Sequence, residues 1–297
     1  MPLDHQLIPI RKQLIQVYAW FRRASGFQRG FRFIGWLYPT ELRQKYPIET
    51  SIKYEQIFSL RLNTKSHIEW GVFLNGQYER HLISLFKKIV SNNDVVIDVG
   101  ANIGVHTLIF SRLVGKGGRV IAFEPYPPAL KKLKFNLERN HVSNVEILPI
   151  AISDHIGEER IINIEGDVNE GMASLLQPDQ QSEYSYKVNV NTLDNLMNEH
   201  QINQVKLIKM DIQGSEYSAL RGAEELLKKF HPLIIFEYDE SWKLANIKFD
   251  DAVKYLENLG YILHGIDEKD GAIVPIDLSL HTEFIASHKD TKIFSQN

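Results

Sequence analysis

The stretch from Val96 to Gly104, Val-Ile-Asp-Val-Gly-Ala-Asn-Ile-Gly, constrains the fold of this 297-residue chain more than any other part of the sequence. An apolar run carrying Asp98 passes into a small-residue turn bounded by Gly100 and Gly104, and a second apolar stretch follows. A strand, a glycine turn and a helix in this order let a ligand come close to the backbone at the helix N-terminus. The sequence therefore predicts a ligand-binding βα unit at this point.

The rest of the chain from residue 94 onward extends this unit into a repeating pattern. Short β-branched runs alternate with amphipathic stretches, as in βαβ units on a parallel sheet. Strands are predicted at residues 95–99, 119–123, 145–150, 205–210 and 233–236, and helices at residues 105–113, 127–140 and 215–229. Residues 151–204 are too long for one helix, and the alternating run from Lys187 indicates an extra strand or hairpin before a helix at Thr192. A helix at 249–259 and strands at 261–266 and near 283–287 complete the prediction, with these last two strands as an antiparallel edge pair.

Residues 1–66 differ in composition from the rest of the chain, with aromatic and basic clusters around Tyr18 to Arg23 and Phe31 to Pro39. We predict an N-terminal accessory segment at 1–66, largely helical, and a ligand-binding domain at 67–297. One interpretation makes the accessory segment a layer over the core or a cap on the cleft. The other makes it an amphipathic helix that contacts a membrane surface or a second subunit, so that a homo-oligomer stays open.

Composition narrows the class of protein. A formal net charge of -3 gives no global electrostatic reason to bind nucleic acid. The chain has no Cys, which excludes disulfides and thiolate metal ligands and fits a reducing compartment. The N-terminus does not resemble a secretory signal, and no window approaches the roughly 18 apolar residues of a membrane span. We expect a cytoplasmic protein.

The identity of residue 102 suggests which cofactor the turn serves. A dinucleotide site needs a G-x-G-x-x-G motif, whose middle Gly lets the backbone touch a pyrophosphate. Asn102 stands where that Gly would be, and its side chain would crowd a phosphate but not S-adenosylmethionine, which has none. Asn also tolerates a left-handed backbone, so the turn can remain sharp. Glu124, followed by Pro125, closes the next strand, and its carboxylate is predicted to accept both ribose hydroxyls.

Several short motifs in register resemble those of the FkbM-type methyltransferases. They are Asp98-Val-Gly-Ala-Asn-Ile-Gly, Phe123-Glu-Pro, Ala151-Ile-Ser-Asp with Gly157 shortly after, Thr192-Leu-Asp, Ile208-Lys-Met-Asp-Ile-Gln-Gly-Ser-Glu and Phe236-Glu, and they cover about Gly76 to Tyr261. The resemblance implies a Rossmann-like class I methyltransferase fold, S-adenosylmethionine as donor and oxygen as the usual acceptor atom. This fold is α/β, with a mostly parallel seven-stranded sheet, an antiparallel edge strand and helices on both faces. Family members often carry Glu where this chain has Gln213.

Candidate site residues follow from these motifs. The predicted cofactor-binding residues are Asp98, Gly100, Ala101, Asn102, Gly104, Glu124, Pro125, Ser153, Asp154 and Asp211. Within this set, Asp98 is expected to fix the methionine ammonium, directly or through water, and Asp154 to accept from the adenine amino group or to cap a strand end. Asp211 is the preferred catalytic base, or a metal ligand together with Glu237, which leaves Mg²⁺ as an open alternative. His106 and His264 lie near the predicted cleft, and His106 is a further candidate base.

The predicted function is thus O-methylation of a hydroxyl on a small molecule, such as a sugar or another natural-product, lipid or glycan moiety. Two alternatives stay open at this point. One is a nicotinamide or nucleotide-sugar oxidoreductase on the same sheet. The other is a non-catalytic, membrane-associated binding protein.

Overall fold

The computed structural model describes residues 7–25, 31–163, 173–175 and 185–291. The chain divides into two compact units, the first ending at Tyr78 and the second beginning at Glu79. Nothing in this division tests the predicted functional boundary at residue 66, which stays a prediction. No described helix is both long enough and apolar enough to cross a bilayer, and the cytoplasmic location likewise stays a prediction.

The first unit combines helices with a hairpin that was not predicted from the sequence. Its elements are α1 (Ile8–Ser25), α2 (Phe31–Leu37), α3 (Thr40–Lys45), β1 (Glu49–Tyr54), β2 (Phe58–Asn63) and α4 (His67–Asn75). Strands β1 and β2 pair antiparallel. Ser66 caps α4 by accepting from the Glu69 N–H, and Gly76 ends the helix with a left-handed φ of 70°.

The second unit carries the predicted βαβ pattern. In chain order its elements are α5 (Arg80–Ile89), β3 (Val95–Val99), α6 (Val105–Val114), β4 (Arg119–Phe123), α7 (Pro127–Arg139), β5 (Val145–Leu148), β6 (Ile150–Ile152), β7 (Gly157–Asn163), β8 (Ala173–Ser174), β9 (Ser185–Asn191), α8 (Leu193–Glu199), β10 (Leu207–Met210), α9 (Glu216–Arg221), α10 (Glu224–Phe230), β11 (Leu233–Glu237), α11 (Glu240–Leu244), α12 (Phe249–Asn258), β12 (Tyr261–Ile266), β13 (Ile273–Val274) and β14 (Glu283–His288).

The central sheet has the strand order β13-β12-β14-β11-β10-β3-β4-β5. Strands β5, β4, β3, β10 and β11 are parallel, and β14 runs antiparallel to both β11 and β12. The α/β fold class is therefore confirmed. The sheet has eight strands rather than seven because the two-residue β13 extends its edge, and the antiparallel β14 lies inside that edge. Strand order reverses between β3 and β10, which is where open α/β sheets bind their ligands.

Helices cover both faces of this sheet. Alternate residues such as Ile97, Ile121 and Ile208 point to one face, where they join a buried cluster with Leu220 and Leu256 from helices α9 and α12. Asp98 points to the opposite face and accepts a hydrogen bond of 2.6 Å from the Thr107 hydroxyl of α6. Helix α6 therefore lies on the face opposite that cluster.

Two predicted elements are interrupted by single residues. The strand predicted at 145–150 breaks at Pro149, which has no N–H to donate, and continues as β6 in a separate four-stranded sheet of order β6-β9-β7-β8. This sheet contains the extra strand predicted near Lys187. The helix predicted at 215–229 breaks at Gly222, where a Cβ would lie 2.0 Å from the Ser153 carbonyl oxygen. Close backbone approach to β6 thus requires glycine there.

Candidate active site

The glycine turn after β3 brings the ends of two parallel strands into contact. Gly100 has a φ of 82°, and a Cβ at this position would lie 2.0 Å from the backbone oxygen of Asp211, directly after β10. Asn102 adopts the left-handed backbone that the sequence predicts, with a φ of 51°. Gly104 follows with a φ of 92° and begins α6. The turn is therefore sharp and packed tightly against the strand end that carries Asp211.

Every backbone N–H from residue 100 to residue 104 is donated inside the protein. Gly100 and Ala101 both donate to the Phe123 carbonyl at 3.0 Å, and Gly104 donates to Ala101 at 2.9 Å. Asn102 donates to Glu124 Oε2 at 2.7 Å, and Ile103 donates to the Asn102 side-chain oxygen at 2.7 Å. A pyrophosphate binds at such a turn through N–H groups that the protein leaves available. In this turn the N–H groups already donate within the protein, and that of Asn102 donates to the Glu124 carboxylate.

Glu124 joins the glycine turn to the start of α7. Its Oε2 accepts from Asn102, and its Oε1 accepts a hydrogen bond of 2.8 Å from the backbone N–H of Tyr126. The side chain is buried. Pro125 lies between Glu124 and Tyr126, at the end of β4. Glu124 thus lies beside the turn as predicted, while its binding to ribose hydroxyls stays a prediction.

A buried charge network connects β3 and β10. Lys209 is 4% exposed, and its Nζ lies 3.2 Å from Asp211 Oδ2 and 4.0 Å from Asp98 Oδ1. Asp98 is fully buried and accepts a hydrogen bond from Thr107 of α6. It therefore contributes to the site indirectly, through its contacts with Lys209 and with α6. Gln213 donates to Asp211 Oδ1 at 3.2 Å, so the residue that departs from the family pattern contacts the candidate base.

Burial and charge set the pKa values in this network. Burial raises the pKa of Asp98, against the opposing effects of Lys209 and Thr107. Burial also lowers the pKa of Lys209, but Asp211, Asp98 and Glu79 outweigh it, so the pKa ends above its usual value. For Asp211, burial is outweighed by Lys209 and Gln213, and the pKa is lowered. Lys209 is therefore a fixed cation and Asp211 a fixed anion at neutral pH.

A cleft opens at the carboxyl ends of β10 and β11. Its lining residues are Glu79, Leu82, Lys209, Met210, Asp211, Ile235, Phe236, Glu237 and Glu283. The predicted catalytic pair, Asp211 and Glu237, thus shares one cleft. Glu237 and Glu283 are directly opposite one another in the β11–β14 pairing, and the Glu283 carboxylate contacts His81. This cleft is where an acceptor molecule would meet the strand ends.

Glu237 differs from Asp211 in its protonation. Burial raises the pKa of Glu237 to about 9, and the negative charges of Asp211, Asp239, Glu79 and Glu216 act in the same direction. The cleft therefore holds one carboxyl group that is protonated at neutral pH beside one that is ionised. Two carboxyl groups with pKa values pushed apart can divide the roles of proton acceptor and hydrogen-bond acceptor.

His106 lies in a less favourable place for a base. Its ring is buried, 5.3 Å from the Phe86 ring and 6.5 Å from the Phe110 ring between centroids, and its Nε2 lies 3.3 Å from Glu79. Burial and the charge of Lys209 hold its pKa well below the usual value. The ring is neutral at physiological pH, and its catalytic role stays a prediction. His264 lies on β12, which β14 separates from β11, and it is not among the residues that line the cleft.

Ser153 and Asp154 follow β6, outside the central sheet. The Ser153 N–H donates to the Asn191 carbonyl at 3.0 Å. Asp154 lies 3.3 Å from Arg221 and 3.3 Å from the His155 ring, nitrogen to oxygen. The carboxylate of Asp154 thus has a cationic partner in Arg221, and its contact with an adenine amino group stays a prediction.

Sequence reasoning missed Lys209 and Glu283 as site residues. Lys209 carried a detectable signal, because a charged residue in the middle of a strand buried on both faces needs a partner. Glu283 carried none, since only the pairing of β14 with β11 brings it to the cleft. Glu216 is the first-turn carboxylate of α9, and it accepts from the backbone N–H groups of Ile212 and Gly214 at 2.7 and 2.9 Å.

The structure gives no support to a magnesium ion. Among the described residues, the acids of the cleft do not bring three ligand atoms within 4.8 Å of one another. Two carboxylates alone do not specify a metal.

The strand order and the glycine turn define a Rossmann-like α/β fold, with the candidate site at the carboxyl ends of β3, β4, β10 and β11. The sequence profile of the Methyltransferase FkbM domain matches residues 98–263. This match covers more than half of the chain, and the protein belongs to the FkbM methyltransferase family.

Three individual relatives share between 24% and 29% sequence identity with this chain. The 31-O-demethyl-FK506 methyltransferase FkbM of Streptomyces tacrolimicus is 29% identical over 184 residues, covering 52% of this chain and 66% of the relative. The hexuronic acid methyltransferase AglP of Haloferax volcanii is 24% identical over 160 residues, covering 53% and 61%. The AMB antimetabolite synthetase AmbE of Pseudomonas aeruginosa is 25% identical over 221 residues, covering 62% and 10%. The chain thus spans less than two thirds of the length of these relatives.

Among solved structures, a methyltransferase FkbM from Methylobacillus flagellatus KT is similar with a TM-score of 0.44 and 18% identity. The similarity covers 95% of this chain and 59% of that one.

Proposed function

We propose that this protein transfers a methyl group from S-adenosylmethionine to a hydroxyl group of a small molecule. The observation that carries the proposal is the turn at residues 100–104, whose N–H groups are all donated internally. Such a turn suits a donor without phosphate and opposes the dinucleotide of an oxidoreductase. Family membership supports methyl transfer. The name 31-O-demethyl-FK506 methyltransferase supports oxygen as the acceptor atom.

The donor site would be formed by the ends of β3 and β4. Gly100 lies against the Asp211 backbone with no space for a side chain, and Glu124 lies beside Asn102. We assign donor binding to Gly100, Ala101, Asn102, Gly104, Glu124 and Pro125, with Ser153 and Asp154 as adenine-side candidates. Asp98 takes the supporting role of holding Lys209. When bound, S-adenosylmethionine would supply a methyl group on a sulfonium, with S-adenosylhomocysteine as the leaving group once the sulfur–methyl bond breaks.

Asp211 and Glu237 would divide the work on the acceptor. Asp211 is ionised and fixed by Lys209 and Gln213, so it orients the acceptor by accepting a hydrogen bond from its hydroxyl group. Glu237, with a pKa of about 9, holds a proton far more strongly than Asp211. In its ionised form it takes the hydroxyl proton as the oxygen–carbon bond forms. We therefore assign the base to Glu237 and the orienting role to Asp211.

The cleft also favours one kind of acceptor. Glu79, Asp211, Glu237 and Glu283 line it, against the single cation Lys209. Carboxyl oxygens accept hydrogen bonds from hydroxyl groups and repel anions in a cleft of reduced dielectric constant. We infer a neutral acceptor rich in hydroxyl groups, such as a sugar or a polyketide, rather than a phosphorylated one.

Calorimetric titration tests the donor assignment. We expect S-adenosylhomocysteine to bind and NAD⁺ to show no binding. Glu124→Ala should weaken this binding by about 1 to 3 kcal/mol through lost hydrogen bonds. Glu138→Gln, on the exposed side of α7, is the matched control and should bind like the wild type. Binding of NAD⁺ without S-adenosylhomocysteine would instead identify an oxidoreductase, and binding of neither would favour a non-catalytic protein.

Turnover is tested separately. Mass spectrometry of metabolites incubated with the protein and donor should reveal a product heavier by one methyl group. Asp211→Asn should retain S-adenosylhomocysteine binding and lose turnover. If Asp211→Asn retains full turnover, Asp211 is not a catalytic residue.

A further inference from the structure

Helix α1 is apolar on two opposite faces. One face packs inside the first unit through Ile8, Ile15 and Ala19. Ile10, Leu14, Val17 and Trp20 lie on the other face and are 51%, 51%, 63% and 64% exposed. A surface helix normally presents polar residues to water, and an apolar stripe on its solvent side indicates a partner.

Helix α2 also exposes two aromatic side chains. Phe33 is 46% exposed and Trp36 is 69% exposed, and their ring centroids are 6.0 Å apart. Tryptophan combines an apolar ring with a polar N–H and is enriched where membrane and water meet. We call Ile10, Leu14, Val17, Trp20, Phe33 and Trp36 the apolar surface.

The segment that carries the apolar surface is strongly basic. Residues 5–40 contain six basic residues, Arg11, Lys12, Arg22, Arg23, Arg29 and Arg32, and no Asp or Glu, although acidic residues outnumber basic ones 37 to 34 in the whole chain. The described contacts of these cations involve neutral oxygens. Arg11 donates to the Leu37 carbonyl at 3.4 Å, Lys12 to the Pro47 carbonyl at 2.9 Å and Arg22 to the Asn75 side chain at 2.8 Å. None of these contacts in the described part of the chain is with a carboxylate, so the segment has a net positive charge.

We propose that the apolar surface docks the protein on a lipid bilayer that contains anionic headgroups. An interfacial helix buries an apolar face at the boundary of headgroups and acyl chains, and Lys and Arg side chains attract anionic lipids. Trp20 and Trp36, which are 64% and 69% exposed, fit the headgroup level. In this arrangement α1 lies in the plane of the interface. Charge complementarity favours this occupant over a second copy of the chain, whose matching segment is equally basic.

Vesicle flotation of the full-length protein tests the proposal. Vesicles of phosphatidylcholine with phosphatidylglycerol should carry the protein up the gradient, whereas vesicles of phosphatidylcholine alone should bind much less. Binding to the anionic vesicles should weaken as salt is raised, because the attraction of exposed charges is screened. Failure to bind anionic vesicles would overturn the proposal.

Variants locate the contact. Val17→Glu with Trp20→Glu should reduce binding to anionic vesicles at least about tenfold, because two carboxylates enter the interface. Ile156→Glu with Leu280→Glu is the matched control, since Ile156 and Leu280 are 63% and 68% exposed elsewhere on the chain. Trp36→Ala, a milder second variant, should also weaken binding, and circular dichroism verifies that each variant folds. Equal loss in the control pair, or a dimer in light scattering that Val17→Glu with Trp20→Glu abolishes without any vesicle binding, would contradict lipid docking.

Discussion

Lys209 and Asp98 are register partners on the neighbouring parallel strands β10 and β3, and their side chains approach to 4.0 Å between Nζ and Oδ1 inside the protein. Neither group reaches solvent to an appreciable extent. A shift of the register by one residue would turn both side chains to the other face of the sheet. The contact between the two charges therefore requires this register of β3 and β10, and the contact in turn favours that register over a shifted one.

The first prediction concerns this pair. Lys209→Met should lower the free energy of unfolding by about 3 to 5 kcal/mol at neutral pH, because Asp98 would remain buried without a cation. The loss should shrink as the pH falls and Asp98 takes up a proton. Urea denaturation measures both effects.

A double variant separates the charge from the packing. Lys209→Met with Asp98→Asn should recover part of the stability, as expected for coupled residues. Lys228→Met removes an exposed lysine and should unfold like the wild type. If the double variant is no more stable than Lys209→Met alone, the two charges are not coupled.

The second prediction concerns the turn after β3. Gly100→Ala should destabilise the protein by about 3 kcal/mol or more, since a Cβ would meet the Asp211 oxygen at a backbone conformation that alanine disfavours. Gly35→Ala is the control, because nothing lies within 4 Å of its Cβ position in α2. This control should be more stable by about 0.5 to 1 kcal/mol, as alanine favours a helix. Similar unfolding midpoints for the two variants would rule out the close contact at Gly100.

The third prediction concerns stability against pH. Burial raises the pKa of Glu216 from 4.5 to about 8 in the folded protein. A raised folded pKa means that the native state binds the proton more tightly, so this contribution to stability is present below pH 4.5 and is lost as the pH rises through 8. Wild-type stability should therefore fall over this range relative to Glu216→Gln, which cannot ionise. Chemical denaturation at several pH values provides the comparison, and parallel curves would show that Glu216 does not titrate in this range.

The fourth prediction concerns catalysis and rests on the proposed function. With a pKa of about 9, Glu237 is mostly protonated at neutral pH, so kcat/KM should rise with pH until Glu237 ionises. Glu237→Gln should lower kcat/KM and remove this rise. Glu240→Gln, exposed on α11, is the control. A pH profile that keeps its rise in Glu237→Gln would assign the proton to another group.

The sequence was sufficient to predict those elements for which residue type and burial pattern favour the same secondary structure. Strands β3 and β4 begin and end at the predicted residues, because each is a short apolar run closed by a turn or by Glu124-Pro125. The hairpin of β1 and β2 was missed although Phe58, Leu60 and Leu62 alternate with polar residues at the period of a strand. The strand predicted at 145–150 was too long because Pro149 ends one sheet and lets the chain enter another.

The candidate site likewise contains residues that the sequence could identify and residues that it could not. Asp98, Gly100, Asn102, Glu124 and Asp211 could be singled out because each lies at or near the carboxyl end of a predicted parallel strand. Glu283 could not, since it comes to Glu237 only through the pairing of β14, which is distant along the chain. The burial of His106 was equally invisible, because it depends on the packing of α5 against α6.

The backbone N–H groups of residues 100–104 all donate within the protein, and this limits how the donor specificity of the domain could be re-engineered. Replacing Asn102 by glycine would restore the spacing of a nucleotide fingerprint, yet the N–H of residue 102 would still point at Glu124, and those of Gly100 and Ala101 would still be held by Phe123. Under the proposed function, changing the preferred donor would require rebuilding the end of β4 together with the loop, so donor selectivity would belong to the pair of strands rather than to residue 102 alone.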